Sequence, residues 1–145
     1  MTDTPLGHVM LVDDERIDQM MYRRILERSG MTESIVGFTY AEQALEYLLD
    51  PDSPAVDLIL LDINMPRMTG FEFLEAACER LGERFSASVV IMLTTSLNPK
   101  DQARAASFDV VRAYVNKPLE KDNLELAASV LQAKRGEAAA ALRAG

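Results

Sequence analysis

The chain has 145 residues, 48% of them hydrophobic, and a formal net charge of −8. This length fits one domain with a real core, and the acidic balance, with no basic run, excludes the counterion-displacing face of a nucleic-acid binder. The amino terminus MTDTPLGHVMLV has no basic n-region and only a short apolar run, so no signal peptide or membrane span is expected, and the lone cysteine, Cys78, permits no internal disulfide and fits the cytoplasm.

Strand-like and helix-like segments then alternate. The spacing predicts strands at HVMLV (8–12), SIVGF (34–38), DLILL (57–61), SVVIML (88–93) and VVRAYV (110–115), each short, aliphatic or β-branched and bounded by turn residues. After the first strand, Ile17, Met20, Met21, Ile25 and Leu26 share a helical face that Gly30 closes. Thr39-Tyr-Ala-Glu42 reads as a capping box opening a second helix through Leu49. Thr69-Gly70 starts a third, with Phe71, Leu74, Cys78 and Leu81 on its inner face and Gly82 at its end, so Cys78 is expected as a packed thiol. Asn98-Pro99 supplies an N-cap and N1 proline for the fourth. That helix offers mainly Ala103, Ala105 and Ala106 to the core, which makes it the least firmly docked. Leu119, Leu124, Ala127, Ala128 and Leu131 outline the fifth, and AKRGEAAAALRAG either extends it or frays. Most of the eight methionines fall at core spacing.

Strict alternation with short connections predicts an α/β fold: a parallel sheet with right-handed crossovers and helices on both faces. With five strands this is a flavodoxin-like three-layer sandwich of order 2-1-3-4-5.

The segment LILLDINMPRMTG (58–70) puts Asp62 directly after four aliphatic residues, as at the carboxyl end of a strand buried on both faces, and Pro66 stops its continuation. Asp13-Asp14-Glu15 end the first strand, Thr94-Thr95-Ser96 the fourth and Asn116-Lys117-Pro118 the fifth. Singly, each has an ordinary explanation: Asp13, Asp14 and Asp62 as helix caps, Thr94 as a satisfied hydroxyl, Lys117 as a solvated charge. In the 2-1-3-4-5 order they meet in one crevice, and capping does not account for the set. Three crowded carboxylates suit a hard divalent cation, and Mg2+ takes a few carboxylates plus waters and phosphate. Asp62 is then an oxygen nucleophile that forms an acyl phosphate. The metal on Asp14 and Asp62, the Lys117 ammonium and the Thr94 hydroxyl share the charge neutralisation.

Asp13-Asp14, LILLDINMPRMTG, Thr94 and Lys117-Pro118, in this order and spacing, resemble the receiver domain of two-component response regulators. The resemblance spans residues 7–134, leaving 135–145 as a helical or frayed tail. It implies Asp62 as phosphoacceptor, Asp14 as direct Mg2+ ligand, Asp13 as a partner acting through water, and the Asn64 backbone carbonyl as a further ligand. It implies Thr94 as switch hydroxyl, Tyr114 as switch aromatic and Lys117 as the phosphoryl-binding lysine. The donor would be a phosphohistidine on a sensor histidine kinase or phosphotransfer protein, and MLTTSLNPKD with LVDDERID resembles stand-alone receivers that serve phytochrome-type and related sensor kinases. Two departures stand out: AASFDVVRAYV lacks the glycines common before the fifth strand, and bulky Thr95 after the switch hydroxyl restricts the space for Tyr114.

Three rivals are weighed against this. An aspartyl-nucleophile phosphatase resembles D-x-D, but the second position is Asn64, which cannot transfer protons, so turnover on external phosphoesters is not expected and the chain is no enzyme beyond its own phosphorylation and dephosphorylation. A phosphorylation-independent interaction module usually lacks one of these residues, and none is missing. A flavodoxin-like cofactor binder would need a phosphate cradle where carboxylates stand. Because only a short tail follows Leu131, output is expected through protein contact in trans or phosphorelay, with helix four, strand five and helix five as the output surface and a possible homodimer face.

Overall fold

Five parallel strands pair in the order β2-β1-β3-β4-β5 in the computed structural model, which describes residues 4–144. They are β1 (Gly7–Val12), β2 (Thr32–Phe38), β3 (Leu58–Leu61), β4 (Val89–Thr94) and β5 (Val111–Asn116). The crossovers are α1 (Arg16–Ser29), α2 (Ala41–Leu49), α3 (Gly70–Leu81) and α4 (Pro99–Ala106), and α5 (Lys121–Ala144) follows β5. The expected flavodoxin-like order is therefore present.

Strand pleating divides the core in two. Met10, Val12, Ile59, Leu61, Val90 and Met92 face α2, α3 and α4, where Leu45, Phe71, Phe73, Leu74 and Ala105 meet them. The alternate residues Val9, Leu11, Leu58, Leu60, Ile91 and Leu93 face Tyr22 and Leu26 of α1 and Leu124, Ala127 and Leu131 of α5. β3 is buried at every position, and each such aliphatic side chain contributes about 1.5–3 kcal/mol. Register runs Val12 to Leu61 and Leu61 to Met92, so the strands end at nearly one level.

Several expected faces differ. On α1, Ile17, Met20 and Met21 are exposed and Tyr22 and Leu26 are buried. The helix carries two apolar stripes, and the one that continues Tyr22, Ile25 and Leu26 meets the sheet. Met10, Met65 and Met92 are core residues, whereas Met20 and Met21 are surface residues. Cys78 is exposed, because Phe73 and Ala77 fill the inner side of α3 instead. The second helix has no capping box: Tyr40 takes the N-cap position without a side-chain bond. Glu42 is drawn to Arg67, whose Nη2 lies 2.8 Å from its Oε2.

Of the α4 alanines only Ala105 is buried. That helix is otherwise held by Arg104, which stacks 4.5 Å from the Phe71 ring centroid and pairs with Glu75 at 2.6 Å. An unforeseen 3-10 helix, Gly82–Ala87, sets Phe85 edge-on against Phe73 with centroids 6.3 Å apart. At the other end of the chain, α5 runs unbroken to Ala144, and Arg112 of β5 reaches Glu137 with two hydrogen bonds of 3.2 and 3.1 Å.

Candidate functional site

Asp62 follows β3 at the carboxyl edge and is buried, its amide donating to the Val12 carbonyl at 3.0 Å. Oδ1 accepts from the Ile63 amide at 2.8 Å, which leaves Oδ2 to face Lys117 Nζ at 3.3 Å. Asp62 is no cap for α3. Thr69 is, in a capping box with Glu72. The next residue, Gly70, fits closely here: a Cβ would overlap the Asp62 backbone carbonyl. Absence of a side chain is what lets the first turn of α3 approach the end of β3 at Asp62. The loop between them turns through Arg67 at φ 71°, a left-handed conformation costly for a non-glycine residue. Glu42 and the Tyr40 ring, 4.8 Å from the guanidinium, hold Arg67 there.

Asp13 is buried at the end of β1, its amide bound to the Phe38 carbonyl and its Oδ1 accepting from the Glu15 amide at 2.9 Å. Glu15, not an aspartate, occupies the α1 N-cap position. Asp14 is half-buried beside it. One carboxylate oxygen each from Asp13, Asp14 and Asp62 lies within 4.8 Å of the others.

Lys117 reaches into this trio from the loop after β5, its side chain only 10% exposed. Nζ stands 2.8 Å from Asp13 Oδ2, 2.9 Å from Asp18 Oδ2 and 3.3 Å from Asp62 Oδ2. Burial pushes the Asp13 carboxyl above the usual aspartate value, and the Lys117 and Glu15 hydrogen bonds offset only part of that. Burial alone would lower the Lys117 ammonium. Hydrogen bonds to Asp13 and Asp18 and the charge of Asp62 outweigh it and hold the amine above the ordinary lysine value. The lysine is therefore a fixed positive charge at neutral pH.

Thr94 is fully buried, its Oγ1 accepting from the Ser96 amide at 3.2 Å and its carbonyl from the Lys117 amide at 2.9 Å. Tyr114 is half-buried against the α3 and α4 side of the core, its hydroxyl donating to the Ser96 carbonyl at 2.9 Å. Thr95, between Thr94 and Ser96 in the chain, is exposed. Ser96 in turn donates its hydroxyl to Asp101 Oδ2 at 2.6 Å, tying the β4 edge to the first turn of α4. The structure thus gathers Asp13, Asp14, Asp62 and Lys117 into one cluster, joins Thr94 and Tyr114 through Ser96, and leaves Asn64 exposed in the loop after Asp62. Asp18 was missed. Its signal is position: it stands four residues before Tyr22, on the stripe of α1 that faces the sheet.

A family model described as the response regulator receiver domain matches residues 9–129. The chain belongs to that family. This receiver is 33% identical over 120 residues to the probable methanogenesis regulatory protein FilR2 of Methanothrix harundinacea, covering 81% of this chain and 76% of that one. It is 31% identical over 123 residues to hybrid signal transduction histidine kinase C of Dictyostelium discoideum, a match over 81% of this chain but 10% of the kinase. Among solved structures it resembles a two component response regulator from Cytophaga hutchinsonii, with TM-score 0.78 and 29% identity over 88% of this chain and 97% of that one. No helix among the described residues of the receiver is long and apolar enough to cross a membrane.

Proposed function

We propose that this receiver accepts a phosphoryl group on Asp62 from a phosphohistidine of a sensor histidine kinase, of phytochrome type or otherwise, or of a phosphotransfer protein. The observation that carries the reading is Asp62 Oδ2 facing a charged Lys117 at 3.3 Å, with the carboxylates of Asp13 and Asp14 converging on the same spot. This set of hard oxygens fits Mg2+. Asp14 and Asp62 would ligate it directly, Asp13 through water, with the Asn64 carbonyl completing the shell, and when bound it neutralises charge on the transferred group. Asp62 supplies the attacking oxygen: an O–P bond forms as the P–N bond breaks, and the electron pair leaves with the imidazole. Lys117 pairs with a phosphoryl oxygen, and the Thr94 hydroxyl turns to donate to another. Asn64 stands where a phosphatase would need an acid-base carboxylate, so the chain promotes only its own phosphorylation and dephosphorylation and is not a turnover enzyme.

The acyl phosphate adds a charge of about −1.5 to −2. Recruiting Thr94 disturbs the Ser96 junction, and Tyr114 and α4 follow, a bias between two states that both exist beforehand. The face of α4, β5 and α5 would then meet a target protein or a second copy in the cytoplasm, or the phosphoryl group would pass on in a relay. Ile17, Met20 and Met21, exposed on α1 just beyond Asp14, suit the phosphohistidine-bearing helices of the donor, which must approach this edge. The test is intact mass after incubation with acetyl phosphate, with and without Mg2+, beside Asp62→Ala. A Mg2+-dependent single adduct absent from the variant is expected. No adduct from acetyl phosphate or from a phosphohistidine donor would instead leave an interaction module.

A further inference from the structure

Lys117 has three carboxylate partners, and one has no role in the chemistry proposed above. Asp18 lies on the first turn of α1, and its Oδ2 is closer to Nζ, at 2.9 Å, than Asp62 Oδ2 is, at 3.3 Å. Its oxygens lie outside the converging trio of Asp13, Asp14 and Asp62. One turn further on, Tyr22 is buried, and its hydroxyl is pushed up to about 12 by burial and by the charge of Asp18. It stays neutral and leaves Asp18 as the charged partner that α1 offers the lysine.

A divalent cation and the Lys117 ammonium compete for the same atoms, because Nζ already holds Oδ2 of both Asp13 and Asp62. With only those two partners, a lysine displaced by metal would be left a nearly buried, unpaired charge, which is strongly unfavourable. An ammonium has three donors. Asp18 keeps one of them occupied while Asp13 and Asp62 turn to the cation. The geometry assigns Asp18 as a positioning residue that retains Lys117 in the cleft and thereby frees the oxygens of Asp13 and Asp62 for metal. This inference rests on the reading of the site as a metal-assisted phosphoryl acceptor.

The experiment is calorimetric titration of the full chain with Mg2+ alone, for wild type, Asp18→Asn, Asp18→Glu, Lys117→Gln and the Asp18→Asn/Lys117→Gln pair. Asp18→Asn weakens Mg2+ about fivefold or more, and Lys117→Gln tightens it by removing the competitor. With Lys117 replaced, Asp18→Asn changes affinity by less than about twofold. Asp18→Glu keeps a carboxylate within reach and returns the affinity to near wild type. Asp18 also sits favourably at the helix amino terminus, but that contribution shows as the same loss with or without the lysine. An equal loss in both backgrounds, or unchanged affinity in Asp18→Asn, overturns the role of Asp18. Should Lys117→Gln not fold, Asp18→Asn against Asp18→Glu decides alone. A wild-type chain that binds no Mg2+ at all defeats the metal reading itself, which is a separate failure.

Discussion

The Asp62 carbonyl occupies the space that a Cβ on Gly70 would need. The end of β3 and the amino terminus of α3 are therefore fitted against each other, with the Gly70 amide donating to the Ile63 carbonyl at 2.8 Å. Gly70→Ala must push the two apart. It is expected to cost about 1–3 kcal/mol in urea unfolding, the usual range for overpacking. Phosphorylation by acetyl phosphate should slow by about tenfold to a hundredfold, since small displacements of a reacting group are that costly. Wild-type phosphorylation in a Gly70→Ala chain would mean that the strand end tolerates the shift.

Removing the lysine has a sign that depends on metal and on pH. Lys117→Met leaves Asp13 and Asp62 buried without their counter-charge, and about 2–4 kcal/mol should be lost in metal-free buffer. Mg2+ should restore part of it. The folded amine value lies above the ordinary 10.5, so the stability this charge contributes is complete below 10.5 and fades as pH rises through the folded value. The gap between wild type and Lys117→Met is expected to close in strongly alkaline buffer. Urea midpoints at pH 8 and at pH 12 would show the gap narrowing, and a constant gap would mean that the lysine acts by packing alone.

Ser96 joins α4 to β5, since its hydroxyl binds Asp101 while its carbonyl accepts from Tyr114 and from Asn116 Nδ2 at 3.2 Å. Ser96→Ala breaks the Asp101 link and the longer bond that the hydroxyl oxygen accepts from the Asn98 amide at 3.3 Å, at a loss of about 0.5–1.5 kcal/mol for each. With one buried alanine on α4, the effect should be local. Amide exchange across 99–106 should quicken while β1 and β3 stay protected, and unaltered α4 protection would remove Ser96 from the coupling.

The Arg112 guanidinium holds the Glu137 carboxyl below the usual glutamate value. A depressed folded value contributes stability that is present above 4.5, the ordinary value, and is lost as pH falls through the folded one. Exchange protection over 132–140 should thus drop on acidification in wild type. Glu137→Gln should be less protected at pH 7 and insensitive to acid. Parallel behaviour of the two chains would show that α5 holds itself without this pair.

The strand order and the meeting of Asp13, Asp14, Asp62 and Lys117 at one edge were legible because both rest on short-range rules. Four aliphatics before Asp62 and carboxylates after Val12 fix which end of each strand faces the crevice, and the sheet order then does the assembling. Faces of helices were less legible. Ile17, Met20 and Met21 compete with Tyr22, Ile25 and Leu26 for the sheet, and spacing alone does not say which stripe wins. Choosing the wrong stripe also hid Asp18, which belongs to the inner one. Cys78 failed for the same reason on α3, where Phe73 and Ala77 offered a second apolar line. Glu42 satisfied the capping-box pattern, yet a partner 25 residues away, Arg67, claimed it, and no local rule anticipates that.

The misplaced thiol has a practical side. Cys78 is the only cysteine in the sequence, stands exposed on α3, and takes no part in the cluster of Asp13, Asp14, Asp62 and Lys117. Partial desolvation of the sulfur, though the residue as a whole is exposed, and the nearby charge of Asp109 raise its ionisation above the ordinary thiol value, so maleimide coupling would be slow at neutral pH and faster in alkaline buffer. A dye or spin label placed there reports from a single known position without mutagenesis, on the same helix whose first turn abuts Asp62.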